Sequence, residues 1–317
     1  MNRWPRRVLT RRAYDAAGAM ETSDFDCLII GGGPAGLTAA NYLARFRRNA
    51  LLVDEGKSRA RLIPETHNYP GFLGISGTDL LTTLREQAEE NGARLQEGRV
   101  EALHKADDVF VARVGNAEIR AKRLLLATGI VDEGPNLPGL KDAIYRGALR
   151  FCPICDAFEA MDMRIGVLGP AHSAAGKAQF LRTYSRDVVV LPIDAPDKAD
   201  KEARALAQAG ITLEQRVVDV ERSGDKVVAV FADGRRLRVD VLYPAMGCDV
   251  RSQLALALGA RCNDIGNLHV DDKQRTSVEG LYAAGDVVTD LHQISVATGH
   301  AAVAATDIHN NLPKNYR

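Results

Sequence analysis

The sequence lacks an excess of either charge. Its 41 Lys and Arg residues are balanced by 41 Asp and Glu, so the formal net charge is zero over 317 residues. A nucleic-acid binder would carry a basic excess or stripe, so that class is set aside. Long apolar runs are missing: none approaches the ~18 residues that a bilayer-spanning segment needs. Low-complexity tracts are missing too, as are tandem repeats beyond one twofold similarity. Cysteine is scarce. Of Cys27, Cys152, Cys155, Cys248 and Cys262, only one pair is close in sequence. An odd count with a single close pair is no secreted disulfide framework; it suits a reducing cytoplasm.

What is present is a globular composition, 46% hydrophobic and 26% charged. The length allows two domains with a sizeable core. Residues 1–19 hold Arg3, Arg6, Arg7, Arg11 and Arg12 against one acid, Asp15. Without an apolar centre this is no secretory signal, although an organelle transit peptide would share its composition. The preferred expectation is a disordered extension over 1–23, with translation beginning at Met20.

A strand is expected over 25–30, running into Gly31-Gly32-Gly33-Pro34-Ala35-Gly36. A helix over 37–47 and a strand over 50–53, ending at Asp54, complete a βαβ unit. An amphipathic helix follows over 78–91, with Leu80, Leu81, Leu84 and Ala88 on one side. Short strands lie in 94–114, and an apolar strand over 123–127 ends at Thr128-Gly129. Pro135 and Pro138-Gly139 break the pattern, as a domain boundary does. A second βαβ unit has its strand at 164–168, turn at 169–173, helix at 174–184 and next strand at 188–191. A helix over 197–208 holds the charge run Lys198, Asp200, Lys201, Glu202 and Arg204, read as a solvated face. A strand, turn and helix close the chain over 280–310. The fold class is therefore α/β, with two Rossmann-like three-layer dinucleotide-binding domains, the second inserted into the first. The first comprises 24–134 and 247–317; the insert is 135–246.

Gly31-x-Gly33-x-x-Gly36 lies between a strand and a helix, the setting that gives this motif its meaning. Gly31 permits the tight turn, Gly33 lets the backbone approach a pyrophosphate, and Gly36 lets helix and strand pack closely. The pyrophosphate sits on the helix N-terminus, and Asp54 is placed to bond a ribose hydroxyl. Cys152-Pro153-Ile154-Cys155-Asp156 is the reactive element. Two intervening residues let the sulfurs meet as a reversible disulfide, whose nucleophile is a thiolate. Asp156 is placed to move protons to and from a departing sulfur. A zinc knuckle would need two further ligands, and neither a second CxxC nor a His pair lies nearby. Cys27, Cys248 and Cys262 are read as buried small hydrophobes.

Taken together, these motifs resemble the low-molecular-weight thioredoxin reductases, from about Asp24 to the C-terminus. The shared order is the first glycine turn, Asn68-Tyr69-Pro70-Gly71, Ala127-Thr128-Gly129, CxxCD, a second dinucleotide turn, and Ala284-Gly285-Asp286. The resemblance implies that Gly31, Gly33, Pro34, Ala35 and Gly36 cradle the pyrophosphate of FAD, with Asp54 on the adenosine ribose. It places the Val100 backbone beside adenine, Asn68 near the flavin, and Ala127, Thr128 and Gly129 at the closure of the cofactor site. Gly285 and Asp286 meet the ribityl and phosphate portion; His292, Gln293 and Ile294 lie at the flavin's pyrimidine end. Cys152 attacks a substrate disulfide, Cys155 exchanges electrons with the flavin, and Asp156 is the acid and base. A thioredoxin-like protein or small disulfide is the implied substrate. A homodimer and a rotation of one domain against the other are implied as well.

Three departures stand out. The second turn reads Gly169-Pro170-Ala171-His172-Ser173-Ala174, so a methyl group replaces the glycine that a pyrophosphate approaches. The following strand ends Leu191-Pro192-Ile193-Asp194, without the arginines that grip a 2′-phosphate in the family. Losing such a charge-assisted bond costs about 1.5–3 kcal/mol. Tight NADPH binding is therefore not expected, although Asp194 could accept a hydrogen bond from an NADH ribose. Ferredoxin or another protein carrier is the alternative donor. Thirdly, Arg59-Ala60-Arg61 replaces a Gly-Gly-Gln segment, and His292 replaces an arginine. The leading expectation is an FAD-dependent disulfide oxidoreductase. One rival is a dithiol oxidase that uses oxygen, whose relatives carry His at the place of Asp156. The other is a non-catalytic flavin-binding redox sensor, against which the intact CxxCD speaks.

Overall fold

The computed structural model describes residues 24–196 and 201–316. The expected extension at 1–23 lies outside the described residues, as do Lys198 and Asp200.

Strand β1 (Phe25–Ile30), helix α1 (Pro34–Arg45) and strand β2 (Ala50–Asp54) open the fold. β2 pairs in parallel with β1 on one side and β3 (Arg94–Glu97) on the other; β1 also pairs in parallel with β6 (Ala117–Leu126). Strands β4 (Val100–Ala106) and β5 (Val109–Val114) run antiparallel into β6. β16 (Leu281–Ala283) lies parallel to β6 and completes a seven-stranded sheet. Along β1, Cys27 and Ile29 enter the core under the helices, while Leu28 and Ile30 enter the core on the opposite face. A strand buried on both faces reads as a continuous apolar run. Each such buried Leu or Ile stabilises by roughly 1.5–3 kcal/mol.

A second sheet repeats the plan. β8 (Ile165–Gly169), α5 (Ala171–Leu181) and β9 (Val188–Pro192) form its βαβ unit. β10 (Thr212–Leu213) joins β9 and β14 (Val241–Pro244) joins β8, all in parallel. The order β10-β9-β8-β14 matches β3-β2-β1-β6. An antiparallel sheet of β11 (Val217–Ser223), β12 (Lys226–Phe231) and β13 (Arg236–Val239) takes the place of the first unit's meander. The expected α/β class with two Rossmann-like units is the observed one. The chain leaves the first sheet along β7 (Ile130–Asp132) and returns along β15 (Cys248–Val250), which pair antiparallel.

Helices α2 (Gly77–Glu90), α3 (Leu140–Tyr145), α6 (Lys201–Gln208) and α7 (Gln253–Leu256) lie between these elements, and several boundaries differ from expectation for local reasons. α1 begins at Pro34 rather than residue 37, because proline at the first helical position sacrifices no hydrogen bond and presets φ. β6 begins at Ala117 rather than residue 123. Its first half alternates Glu118 and Arg120 outward with Ile119 and Ala121 inward, so its apolar signal is diluted. α5 begins at Ala171, not residue 174. Of the charged helix, Lys201–Gln208 is described, and Lys201 and Arg204 are exposed as expected. Cys27 is fully buried, but Cys248 and Cys262 are only half-buried. Cys248 starts a short two-stranded ribbon and Cys262 sits in an isolated bridge, neither of which is covered on both faces.

The last helix, α8 (Ile294–Asn310), decides where the site lies. Ala297, Ala301, Ala304 and Ala305 share one core with Ala39, Ala40 and Leu43 of α1, and such short side chains let the two helices approach closely. Arg275 makes a forked bond to Asp307 at 2.6 and 2.7 Å, and the Tyr282 hydroxyl donates to the same carboxylate at 2.8 Å. These contacts fix α8 against the sheet with its first turn beside the glycine turn. Among the described residues, no helix is long and apolar enough to cross a membrane.

Candidate active site

The first glycine turn is built by two demands of packing and one of access. Gly31 has φ +107°, and a Cβ there would lie 2.4 Å from the Ala127 carbonyl oxygen. A Cβ on Gly36 would lie 1.8 Å from the Gly31 oxygen. At Gly33 a Cβ would meet only Ser58 Oγ, at 3.3 Å, so its backbone is open to the space in front. The turn is tied to β2 because the Gly32 N–H donates to Asp54 Oδ1 at 3.0 Å. Gly36→Ala is expected to destabilise the fold by about 3 kcal/mol or more, since the obstacle is backbone and cannot swing aside. Thermal unfolding checks this.

In front of the turn lies a cavity of about 860 Å³. Gly31, Gly33, Pro34 and Ala35 form its floor, while Gly36 lies behind them, packed on the turn itself. Asp54 and Val100 line it, as do Ala127, Thr128, Gly129, Gly285 and Asp286. Asn68, His292, Gln293 and Ile294 line it too, together with Cys152, Cys155 and Asp156; Asn68 meets Gln293, and Gln293 meets both cysteines. Every candidate site residue except Gly36 therefore faces one space.

Cys152 and Cys155 are joined as a disulfide, their Cα atoms 5.3 Å apart. Among the described residues, no group of three or more His, Cys, Asp or Glu side chains could hold a metal ion. Cys152 caps the short helix α4 (Pro153–Asp156), and the Cys155 N–H bonds back to the Cys152 carbonyl at 3.0 Å. That single tight turn brings the sulfurs together. The Gln293 amide donates to both, at 3.4 Å to Cys152 and 3.2 Å to Cys155.

Asp156 ends the same short helix. Burial pushes its carboxyl up to about 6, opposed by the Arg150 charge and by a hydrogen bond from the Tyr243 hydroxyl at 2.9 Å. Arg150 donates to the Asp156 carbonyl at 2.7 Å and so fixes the residue's backbone. A carboxyl with a pKa near 6 can both give and take a proton close to neutrality. Burial also raises the Asp286 carboxyl and lowers His292 and the Lys177 ammonium. Arg59 lies in this region as well. It forks onto Asp132 at 2.6 and 2.8 Å and approaches Asp286 at 3.7 Å.

The second turn keeps one feature of the first and loses another. A Cβ on Gly169 would lie 2.4 Å from the Ala245 oxygen, as one on Gly31 would from Ala127. The glycine that the fold requires is thus retained. At the place of Gly33 stands Ala171. Its N–H donates to Asp194 Oδ1 at 3.1 Å; in the first turn the similar bond comes one residue earlier, from Gly32 to Asp54.

Sequence reasoning missed Tyr243, Arg150 and Thr66. Tyr243 is fully buried in β14, far from Asp156 in sequence, and nothing in its local pattern marks it. Thr66 was a buried polar residue waiting for its partner, Asn68, two positions on.

Comparison with known proteins agrees with this geometry. The pyridine nucleotide-disulphide oxidoreductase family matches residues 25–301. The thioredoxin reductase of Peptoclostridium litorale is 31% identical over 301 residues, covering 89% of this chain and 95% of that protein. The crystal structure of HlmI superposes with a TM-score of 0.84 at 28% identity, covering 90% of this chain and 92% of that one. The thioredoxin reductase from Streptococcus pyogenes MGAS5005 also gives 0.84, at 27% identity, covering 91% and 98%. The chain belongs to the pyridine nucleotide-disulphide oxidoreductase family, as a thioredoxin reductase-like oxidoreductase with its Cys152–Cys155 disulfide in place.

Proposed function

We propose that the protein is an FAD-dependent disulfide reductase that passes two electrons through Cys152 and Cys155 and draws poorly on NADPH. One observation carries the reading: the disulfide, Asp156 and the first glycine turn share a single cavity of about 860 Å³. The residues present fit FAD. Main-chain N–H groups at the start of α1 suit a pyrophosphate, and Asp54 suits a ribose hydroxyl. Val100 would flank the adenine. Thr128, Gly129, Gly285 and Asp286 would follow the ribityl chain, with Asn68, His292, Gln293 and Ile294 at the flavin. Bound there, FAD supplies a two-electron carrier between a donor and the disulfide.

The chain's own residues do the rest. Cys152 takes the substrate disulfide as a thiolate, and Cys155 closes the internal disulfide that releases it. Asp156 holds the proton exchanged with the departing sulfur. The substrate is a thioredoxin-like protein or a small disulfide.

The second turn supports the reading that NADPH binds weakly. The Ala171 methyl stands where a pyrophosphate would approach. Asp194 is held by the Ala171 N–H at 3.1 Å, a fixed negative charge beside the place of a 2′-phosphate. The donor is then NADH or a protein carrier of the ferredoxin kind. Anaerobic mixing with NADPH and then NADH, followed by flavin absorbance, tests this. NADPH is expected to bind about 10- to 150-fold more weakly than in a reductase with the arginine grip, from the about 1.5–3 kcal/mol at stake. Ala171→Gly with Asp194→Arg is expected to recover at least tenfold of that. Rapid bleaching of the unmodified protein by micromolar NADPH would sink the claim.

A further inference from the structure

We infer that the side-chain amide of Gln293 is a catalytic hydrogen-bond donor to the sulfur pair, aimed there by Thr66 and Asn68. The inference rests on the dithiol reading above and adds the group that holds its negative charge.

Thr66 is buried, and its main chain is fixed by a bridge to Ile75. Its hydroxyl donates to Asn68 Oδ1 at 3.0 Å. Asn68 Nδ2 faces outward, to Gln293 Oε1 at 3.0 Å and to the Ile154 carbonyl at 3.4 Å; because that carbonyl can only accept, it sets the sense of the amide, and the Thr66 hydroxyl holds it there. With its oxygen so engaged, Gln293 must present Nε2 to Cys152 and Cys155, at 3.4 and 3.2 Å. The reverse orientation would set two NH₂ groups against each other and an amide oxygen against two sulfurs. Nε2 also lies 3.1 Å from the His292 carbonyl. Two protons are shared among three acceptors, so at least one falls on the sulfurs.

Gln293 is the residue before α8, where a side chain could cap the helix, yet it makes no capping bond. Its amide is committed to the disulfide instead. A disulfide sulfur is a weak acceptor and a thiolate a strong one. Two electrons entering the S–S bond would break it and leave two thiolates. One takes up a proton, and the Gln293 amide is placed to hold the other as an anion. The Gln293 bond strengthens at that moment, so it favours the reduced, charged product over the oxidised starting state. Thr66 and Asn68 act through Gln293 and are positioning residues.

The test uses the full-length, flavin-loaded protein. The pair is equilibrated with reduced and oxidised glutathione, quenched with acid and alkylated; the pH dependence of iodoacetamide reaction gives the thiolate pKa. Gln293→Leu is expected to shift the exchange equilibrium about tenfold toward the disulfide, about 30 mV more negative. Its thiolate fraction at pH 7 should fall by a similar factor. Thr66→Val keeps the Gln293 side chain but frees Asn68 to turn, and should shift both readouts about threefold in the same direction. A folded, flavin-bearing Gln293→Leu protein within twofold of the wild type would overturn the proposal. If that variant does not fold, Thr66→Val and Asn68→Leu decide, and no shift in either overturns it. Wild-type protein that never exchanges with glutathione would overturn the dithiol reading first, and the role of Gln293 with it.

Discussion

Cys155→Ser is expected to abolish disulfide turnover while leaving a protein that captures its substrate. Serine is nearly isosteric, and both cysteines are only partly buried in a loop-borne turn, so the fold should persist. Without the second sulfur, a substrate disulfide attacked by Cys152 releases one substrate thiolate and stays attached through the other sulfur. Nothing remains to displace it. Turnover should fall by at least about a thousandfold, the scale on which removal of a covalent nucleophile acts. A non-reducing gel with a thioredoxin-like substrate should show the mixed disulfide. Cys152→Ser should lose turnover equally but capture nothing. Substantial turnover in either variant would end the dithiol mechanism, and capture by Cys152→Ser alone would exchange the two roles.

Asp156→Asn should lower turnover by about 10²–10⁴-fold, the usual contribution of a positioned acid or base. The wild-type rate should show an inflection near pH 6, where burial has placed this carboxyl, and the variant should lack it. Stability should move the other way. The folded carboxyl titrates at about 6 against an ordinary 3.8, so the folded protein binds the proton more tightly than the unfolded chain. Below pH 3.8 the group is protonated in both states and costs nothing. As pH rises through 6 the buried charge appears, and folding loses up to about 3 kcal/mol. Asparagine is neutral throughout and keeps an oxygen to accept the Tyr243 hydroxyl. The variant should therefore be more stable than the wild type at pH 7.5 and equal to it near pH 4, as read by denaturant unfolding at each pH. A variant less stable at pH 7.5 would mean that Asp156 is held by structural bonds that the raised pKa conceals.

The two βαβ units illustrate what turn residues are for. Gly31 and Gly169 both persist because a Cβ at either place would strike a carbonyl oxygen at 2.4 Å. At Gly33 a Cβ would meet only Ser58 Oγ, at 3.3 Å, and its counterpart Ala171 carries a methyl group, so the fold makes no such demand at this place.

Much of this was readable from local pattern. The apolar run of β1, the glycine turn and Asp54 lie within thirty or so residues of one another, and the backbone geometry of a βαβ unit follows from such short-range order. The CxxC turn is equally local, because two intervening residues close one helical turn. Chain order also carried the insertion of the second unit within the first. Less visible was β6, whose outer half alternates charge with small apolar residues, and the exposure of Cys248 and Cys262, which depends on what covers them.

What packing alone decided is the company the disulfide keeps. Asp156 meets Tyr243, and Gln293 meets Cys152 and Cys155, across 87, 141 and 138 residues of sequence. No periodicity encodes contacts at that distance. They arise because alanine faces bring α8 against α1, and because β14 lies beside β8, above the turn that carries the cysteines. The chemical types were written in the chain. The donor aimed at the sulfurs, and the burial that lifts Asp156 to about 6, exist only once those surfaces have met.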